Sequence, residues 1–140
     1  MESYESTALI EADPAAIWAI LIDAPAYPTW DSGVKSIEGR VEPGEKLKLT
    51  SEAAPGRAFP LKVTEFKPGE AMTWSGGMPL GLFTGERTFR LEPEGGSTRF
   101  TMREEYSGPM LSLIWRSMPD LQASFDQFAT ALKQRAERGA

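Results

Sequence analysis

The stretch that decides the fold is Gly85–Ser107, GERTFRLEPEGGSTRFTMREEYS. Two runs of alternating character flank Gly95-Gly96, and a two-residue Gly-Gly connection is a hairpin signal that suits a type I′ turn. With Glu94 facing Ser97, counting outwards pairs Leu91 with Phe100, Phe89 with Met102, Arg87 with Glu104 and Gly85 with Tyr106. Side chains alternate along a strand, so this set shares one face. The other face pairs Glu92 with Arg99, Arg90 with Thr101 and Thr88 with Arg103. The first face is core-like and the second solvent-like, yet Arg87 and Glu104 stand opposite each other within the apolar set. A lone buried charge is costly, whereas a guanidinium and a carboxylate can satisfy each other bidentately. The pair is therefore either a polar anchor that orients a ligand's carbonyl, hydroxyl or carboxylate, or an inert ion pair at the sheet end. A one-residue slip would turn both charges outward.

Working outward, turn signals divide the preceding chain into short strands. Glu42-Pro43-Gly44-Glu45 separates Val34–Val41 from Lys46–Glu52; Ala54-Pro55-Gly56 precedes Arg57–Lys67; Lys67-Pro68-Gly69-Glu70 precedes Ala71–Ser75; and the glycine-rich 76–81 precedes Leu82–Glu92. Strands so spaced read as an antiparallel meander. Around Pro68-Gly69, Leu61 faces Gly76 and Val63 faces Trp74, while Lys62 with Ser75 and Thr64 with Thr73 form the other side. Pro60 marks an edge or a bulge at the start of its strand. Ile37 and Val41 do not align with Leu47 and Leu49 by simple counting, so the register of the 34–52 hairpin stays open pending a bulge or longer loop.

At the start, Tyr4–Ile10 reads as a strand. Asp13-Pro14 then opens a helix, with Asp13 as cap and Pro14 at the first helical position. Ile17, Trp18, Leu21 and Ile22 form its apolar face, and a turn at Ala26–Trp30 follows. At the other end, Ile114, Met118, Leu121, Phe125, Phe128 and Leu132 recur at three- and four-residue steps. Pro119 breaks that segment. A shorter helix is expected from about Pro109 to Ser117, then a longer one of ~30 Å that crosses a sheet. Strand, helix, strands, long helix is the order of a single α+β domain over residues 1–140, with an antiparallel sheet of six to seven strands.

Composition narrows the chemistry. Cysteine and histidine are both absent from the 140 residues. That excludes disulfides, thiolate nucleophiles, Ser-His-Asp triads and His- or Cys-ligated metals; no metal or cofactor is expected. A net charge of −5 with scattered Lys and Arg argues against nucleic acid as a partner. No apolar stretch approaches the ~20 residues of a membrane span, so stable insertion is not expected. The first residues lack a signal-peptide pattern, and the expected location is cytoplasmic.

Several local patterns agree with this element order: Tyr27-Pro28-Thr29-Trp30 after the Asp-Pro helix, Val63-Thr64-Glu65-Phe66 before a Pro-Gly turn, Met72-Thr73-Trp74, Gly85-Glu86-Arg87-Thr88-Phe89, and Glu105-Tyr106-Ser107-Gly108 before the last helices. Together they resemble the SRPBCC (START-like) superfamily, in its polyketide cyclase/dehydrase and lipid-transport-like branch, over nearly the whole chain. The resemblance implies a helix-grip fold, in which a curved antiparallel sheet wraps around the C-terminal helix and a cavity lies between them. It also implies relatives that bind lipids, steroids, polyketides or plant hormones, with a minority of cyclases and hydrolases. No catalytic motif is common to the family, so no catalytic residue carries over.

Three functions follow. The first is a carrier or sensor that holds a small hydrophobic or amphipathic molecule. Its pocket would be lined by Val63, Met72, Trp74, Arg87, Phe89, Leu91, Phe100, Met102, Glu104, Tyr106, Met118, Leu121 and Phe125, with Trp30, Met78, Leu80 and Phe83 at its entrance. The second is a cyclase- or dehydratase-like enzyme on an aromatic or polyketide-like substrate, with Glu104 as base and Arg87 and Tyr106 stabilising negative charge. An ion-paired carboxylate is a weak base, which counts against this reading. The third is an interaction module with a filled core, in which Met78, Leu80 and Phe83 contact a partner or make a homodimer. Asp31 reads as a turn residue more readily than as a catalytic acid.

Overall fold

The computed structural model describes residues 2–52, 56–117 and 120–138. In chain order its elements are β1 (Glu2–Ile10), α1 (Pro14–Leu21), a 3-10 turn (Ala24–Thr29), β2 (Val34–Glu38), β3 (Lys46–Ser51), β4 (Ala58–Lys67), β5 (Ala71–Met78), a second 3-10 turn (Pro79–Gly81), β6 (Phe83–Glu94), β7 (Ser97–Ser107), α2 (Leu111–Ser117) and α3 (Gln122–Arg138). The strands form one antiparallel sheet in the order β1-β7-β6-β5-β4-β3-β2. It is a curled half-barrel, and α3 covers its inner face. The expected α+β helix-grip architecture is thus observed. Among the described residues no helix is long and apolar enough to cross a membrane.

The β6–β7 hairpin has the register read from sequence, rung for rung, from Glu94↔Ser97 to Gly85↔Tyr106. Its turn differs in one respect. Gly95 has φ +65° while Gly96 is not left-handed, which fits a type II′ rather than a type I′ turn. Both primed turns follow the strand twist, so the register is the same.

Other hairpins depart more. In β4–β5, Leu61↔Gly76, Lys62↔Ser75 and Val63↔Trp74 hold, but a bulge then places Glu65, not Thr64, opposite Thr73. Thr64 instead reaches the Thr73 carbonyl through its hydroxyl at 3.4 Å. β2 ends at Glu38, and Val41 is buried in a loop rather than in a strand. Ile37 faces Leu49, with a register shift between Val34 and Ser36, so both the longer loop and the irregularity are present. Of the edge or starting bulge that Pro60 suggested, the edge is not found, because β4 is an inner strand. Its first residues, Ala58–Pro60, pair with β3 only, so the proline ring sits where no neighbour on the other side needs an amide. The Ala54-Pro55 turn signal, Pro119 and Met118 lie outside the described residues.

Asp13 caps α1 as expected, its Oδ1 accepting from the Ala16 amide at 3.0 Å. Ile17, Trp18 and Leu21 are buried, but Ile22 ends the helix and is half-exposed. α3 lies along β1, the exposed edge of the sheet. Gln122 donates to the Glu5 carbonyl at 2.9 Å, and Ser6 donates to Asp126 at 2.9 Å. Lys133 donates to the Leu9 carbonyl at 2.7 Å, and the Glu11 amide donates to Glu137 at 2.9 Å. Unpaired edge groups invite pairing with other chains, and α3 takes up two of the β1 edge carbonyls, those of Glu5 and Leu9. Its other face sends Phe125, Phe128 and Leu132 into the core.

Candidate functional site

The expected pocket lining divides into two zones. The deep zone is packed. Val63, Met72, Trp74, Phe89, Leu91, Phe100 and Met102 are each at most 4% exposed. Phe128 of α3 sits 5.9 Å from Phe89, 6.1 Å from Phe100 and 5.2 Å from Trp30 between ring centroids, and Trp74 meets Phe89 edge-on at 4.7 Å. These rings touch one another and fill the space that the sheet's curl encloses there. Trp30, expected at the entrance, belongs to this zone. It is 4% exposed and lies against Tyr27 at 5.1 Å, because the Ala24–Thr29 turn folds its aromatic residues under the sheet. Leu121 is partly buried against the same core.

The second zone lies at the sheet end under α2. One rung of the inner face runs Val63, Trp74, Arg87, Glu104, Tyr4 across five strands. The next runs Leu61, Gly76, Gly85, Tyr106. Arg87 Nε donates to Glu104 Oε1 at 2.6 Å, and the two side chains are 21% and 17% exposed. Both charges therefore point between sheet and helix, as the register required. The Arg87 guanidinium also lies 4.9 Å above the Phe125 ring of α3, a cation–π contact.

Gly85 makes room for this arrangement. A Cβ there would lie 3.1 Å from Glu104 Oε2 and 3.4 Å from the Tyr106 ring. Around the pair stands an aromatic wall. Tyr4 stacks on Trp115 at 5.3 Å and meets Tyr106 edge-on at 6.1 Å, and Phe83 stacks on Tyr106 at 6.0 Å. Trp115 also lines a surface concavity of about 470 Å³ with Glu2, Gly108, Pro109, Ser112 and Arg116. Met78, Leu80 and Leu82 form an exposed apolar tip, and Leu80 is 96% exposed with φ +61°. Gly108 and Met110 attach the β7–α2 junction to this tip, the Met110 amide donating to the Leu82 carbonyl at 2.9 Å. Of the expected entrance residues, Phe83 thus reaches the second zone, and Met78 and Leu80 lie at its margin.

Three buried polar atoms have no hydrogen-bond partner among the described residues: Trp30 Nε1, Trp74 Nε1 and the Tyr106 hydroxyl. Buried polar groups are normally satisfied, and each exception calls for a reason. Tyr27 is different, since its hydroxyl donates to the Leu21 carbonyl at 2.6 Å. Burial, reinforced by the neighbouring Glu104 carboxylate, holds the Tyr106 phenol far above its usual ionisation range, and burial does the same to Tyr27. The folded state therefore keeps both protons, while the unfolded chain releases them near the ordinary value of about 10. Stability should be fully present below about pH 10 and fall as pH rises beyond it. Urea midpoints compared at about pH 8 and about pH 11 test this. Tyr106→Phe should flatten the fall, and an unchanged slope in that variant would refute the assignment.

Tyr4 and Trp115 complete the second zone and were missed from sequence. β1 pairs with β7, about a hundred positions away, so nothing local announces that Tyr4 faces Glu104. Trp115 lies off the apolar stripe through Ile114, and only the placement of α2 brings it over Tyr4. Asp31 is a turn residue, with φ +59°, and its carbonyl and Oδ1 accept from Gln127 of α3 at 3.1 and 3.3 Å.

Solved structures of similar shape agree with this description. A protein from Mesorhizobium loti superposes with a TM-score of 0.76 at 14% identity, covering 99% of each chain. An Aha1 dimer from Colwellia psychrerythraea gives 0.75 at 20% identity, covering 99% of this chain and 98% of that one. The Zhui aromatase/cyclase of a Streptomyces species gives 0.72 at 13% identity, covering 98% and 94%. At such identities the likeness concerns the fold. Among curated proteins none matches this chain. The sequence itself matches, over residues 1–137, the family described as polyketide cyclase / dehydrase and lipid transport. The chain is therefore a member of that family.

Proposed function

We propose that this protein binds a small hydrophobic or amphipathic molecule at the sheet end under α2, between Arg87, Glu104, Tyr106 and Tyr4 of the sheet and Trp115 and Phe125 of the helices. The observation that carries the reading is the unsatisfied Tyr106 hydroxyl, 2% exposed, beside a half-buried ion pair and ringed by aromatic side chains. Apolar walls with a few convergent polar groups are the usual make-up of a small-molecule site. The ligand enters through the concavity that Trp115 borders, so Trp115 must turn away from Tyr4 to admit it. The deep zone then serves as a rigid floor.

The test is native mass spectrometry of the purified protein together with a thermal-shift screen of lipid-like and aromatic compounds. A bound mass, or a rise on the order of 5–10 °C at saturating ligand, is expected. Gly85→Leu, which places a side chain over Glu104 and Tyr106, should abolish the rise. No bound mass and no stabilisation by any compound would remove the reading.

A second reading, a cyclase- or dehydratase-like enzyme, is favoured by one observation: the Glu104 carboxylate and the Tyr106 ring pack together over Gly85, which sets a carboxylate and a phenol side by side. It is compatible with the shared fold of the Zhui aromatase/cyclase. In this reading Glu104 takes the proton, and Arg87 with Tyr106 holds the developing negative charge. Turnover of an aromatic polyketide-like substrate that survives in Glu104→Gln would exclude it.

A further inference from the structure

We infer that the outer face of β3 and β4 is a docking surface for a short, extended acidic segment of a partner protein, seated on Lys46, Lys48 and Lys62. These lysines lie on the side of the sheet away from the ligand site, and the inference does not depend on that site.

Alternation along the strands sets the face. Leu47 is 3% exposed and Leu61 packs against the core, so their neighbours Lys46, Lys48 and Lys62 point to the opposite, outer side. Lys46 stands directly opposite Lys62 in the sheet. Like charges so placed, with Cβ atoms ~5 Å apart, repel each other. Lys48 follows on the same face, ~7 Å along β3. All three are exposed, and among the described residues none makes an ion pair. Lys67, Arg87, Arg99, Arg103 and Lys133, by contrast, each find a carboxylate. Even Glu38, which stands opposite Lys48 on β2, is not paired with it. The pairing of β3 with β4 gathers lysines that are spread along the sequence. Together with Pro60, Ser75 and Gly77 they border a surface concavity of about 550 Å³. A bound anion there turns the mutual repulsion of Lys46 and Lys62 into shared attraction.

Charge on a larger scale selects the occupant. The chain as a whole carries −5. Residues 1–33 hold Glu2, Glu5, Glu11, Asp13, Asp23 and Asp31 and no Lys or Arg. A nucleic acid or an anionic membrane spreads its charge over an area wider than the lysine patch, so it also meets the acidic remainder of the chain. A short acidic segment covers the lysines alone. In an extended segment, alternate side chains recur every ~7 Å on one side, the step that separates Lys46 from Lys48. Two carboxylates at that spacing address Lys48 and the Lys46–Lys62 pair together. Glu38, at the rim, opposes them and limits the affinity.

The experiment titrates the intact chain against a rhodamine-labelled, end-blocked peptide of alternating glutamate and valine, followed by anisotropy. A glutamine–valine peptide, pyrophosphate and phosphatidylcholine–phosphatidylserine vesicles are the comparison probes. The acidic peptide should bind about tenfold tighter than the glutamine peptide. Lys46→Gln together with Lys62→Gln should weaken it about tenfold, and Glu38→Gln should tighten it about twofold. Raising the salt from about 0.05 to about 0.5 M should also weaken it about tenfold. Lys46→Gln removes one of two facing like charges, so that variant should melt no lower than the parent, which separates lost recognition from lost folding.

No binding at about 1 mM peptide, equal binding of the glutamine peptide, or an affinity unmoved by the lysine substitutions overturns the docking surface. Tighter binding of pyrophosphate or of the vesicles, lost in the same double variant, overturns the choice of partner.

Discussion

Phe128→Ala is expected to lower the stability of this fold by about 4 kcal/mol, the cost of emptying a large aromatic position in a close-packed core. Phe128 is 3% exposed and touches Tyr27, Trp30, Phe89 and Phe100 at ring-centroid distances of 5.2 to 6.1 Å. It is the α3 ring on which the helix grips the sheet. Its removal deletes the contact shared by the Ala24–Thr29 turn, β6 and β7, and rigid neighbours relax only partly into the gap. For a domain of this size the melting temperature should fall by about 12 °C. Phe128→Leu should recover about half of the loss. Chemical denaturation monitored by tryptophan fluorescence gives the measurement. A loss below about 1 kcal/mol would mean that the deep zone is not the solid floor described above.

The second large effect concerns the ion pair. Glu104→Ala should cost about 2 kcal/mol, less than the 3–5 typical of a fully buried pair because each partner keeps about a fifth of its exposure. The penalty comes from stranding the Arg87 charge above Phe125. Replacing both partners with apolar residues of similar bulk, Arg87→Met with Glu104→Leu, should leave stability within about 1 kcal/mol of the parent. The double variant should nevertheless lose ligand binding, since it removes the polar part of the site. The Arg99–Glu94 bridge, equally short at 2.6 Å but set in solvent, is the control, and its removal should move the denaturation midpoint little. If the doubly apolar protein lost the sum of the two single effects, the pair would be a structural requirement and its part in recognition would need another basis.

These expectations draw on parts of the molecule that were unequally legible. The β6–β7 register could be counted because a two-residue glycine turn leaves no slack, and it placed Arg87 opposite Glu104 correctly. The β4–β5 register was legible as far as Val63. Beyond it an inserted residue, invisible in any turn signal, moved Glu65 into the place assigned to Thr64. β2 was over-extended through Val41, because a buried loop valine has the same hydrophobic signature as a strand residue. Trp30 looked like a rim residue because its neighbours Thr29, Asp31 and Gly33 are turn-formers. In the folded chain those neighbours turn the backbone and send the indole inward.

From the residues alone came the order of elements, the helix start at Asp13, the central hairpin with its inward-facing charges, and the chemistry that a chain without cysteine or histidine lacks. All of these rest on local rules: alternation along a strand, periodicity along a helix, and the conformations that glycine and proline permit. Tertiary structure alone decided that the deep lining is filled by rings, that Tyr4 and Trp115 join Tyr106, and that Trp74 and Tyr106 keep unpaired donors. Those facts depend on which side chains meet across distant strands and helices. Packing in three dimensions determines that, and no spacing along the chain encodes it.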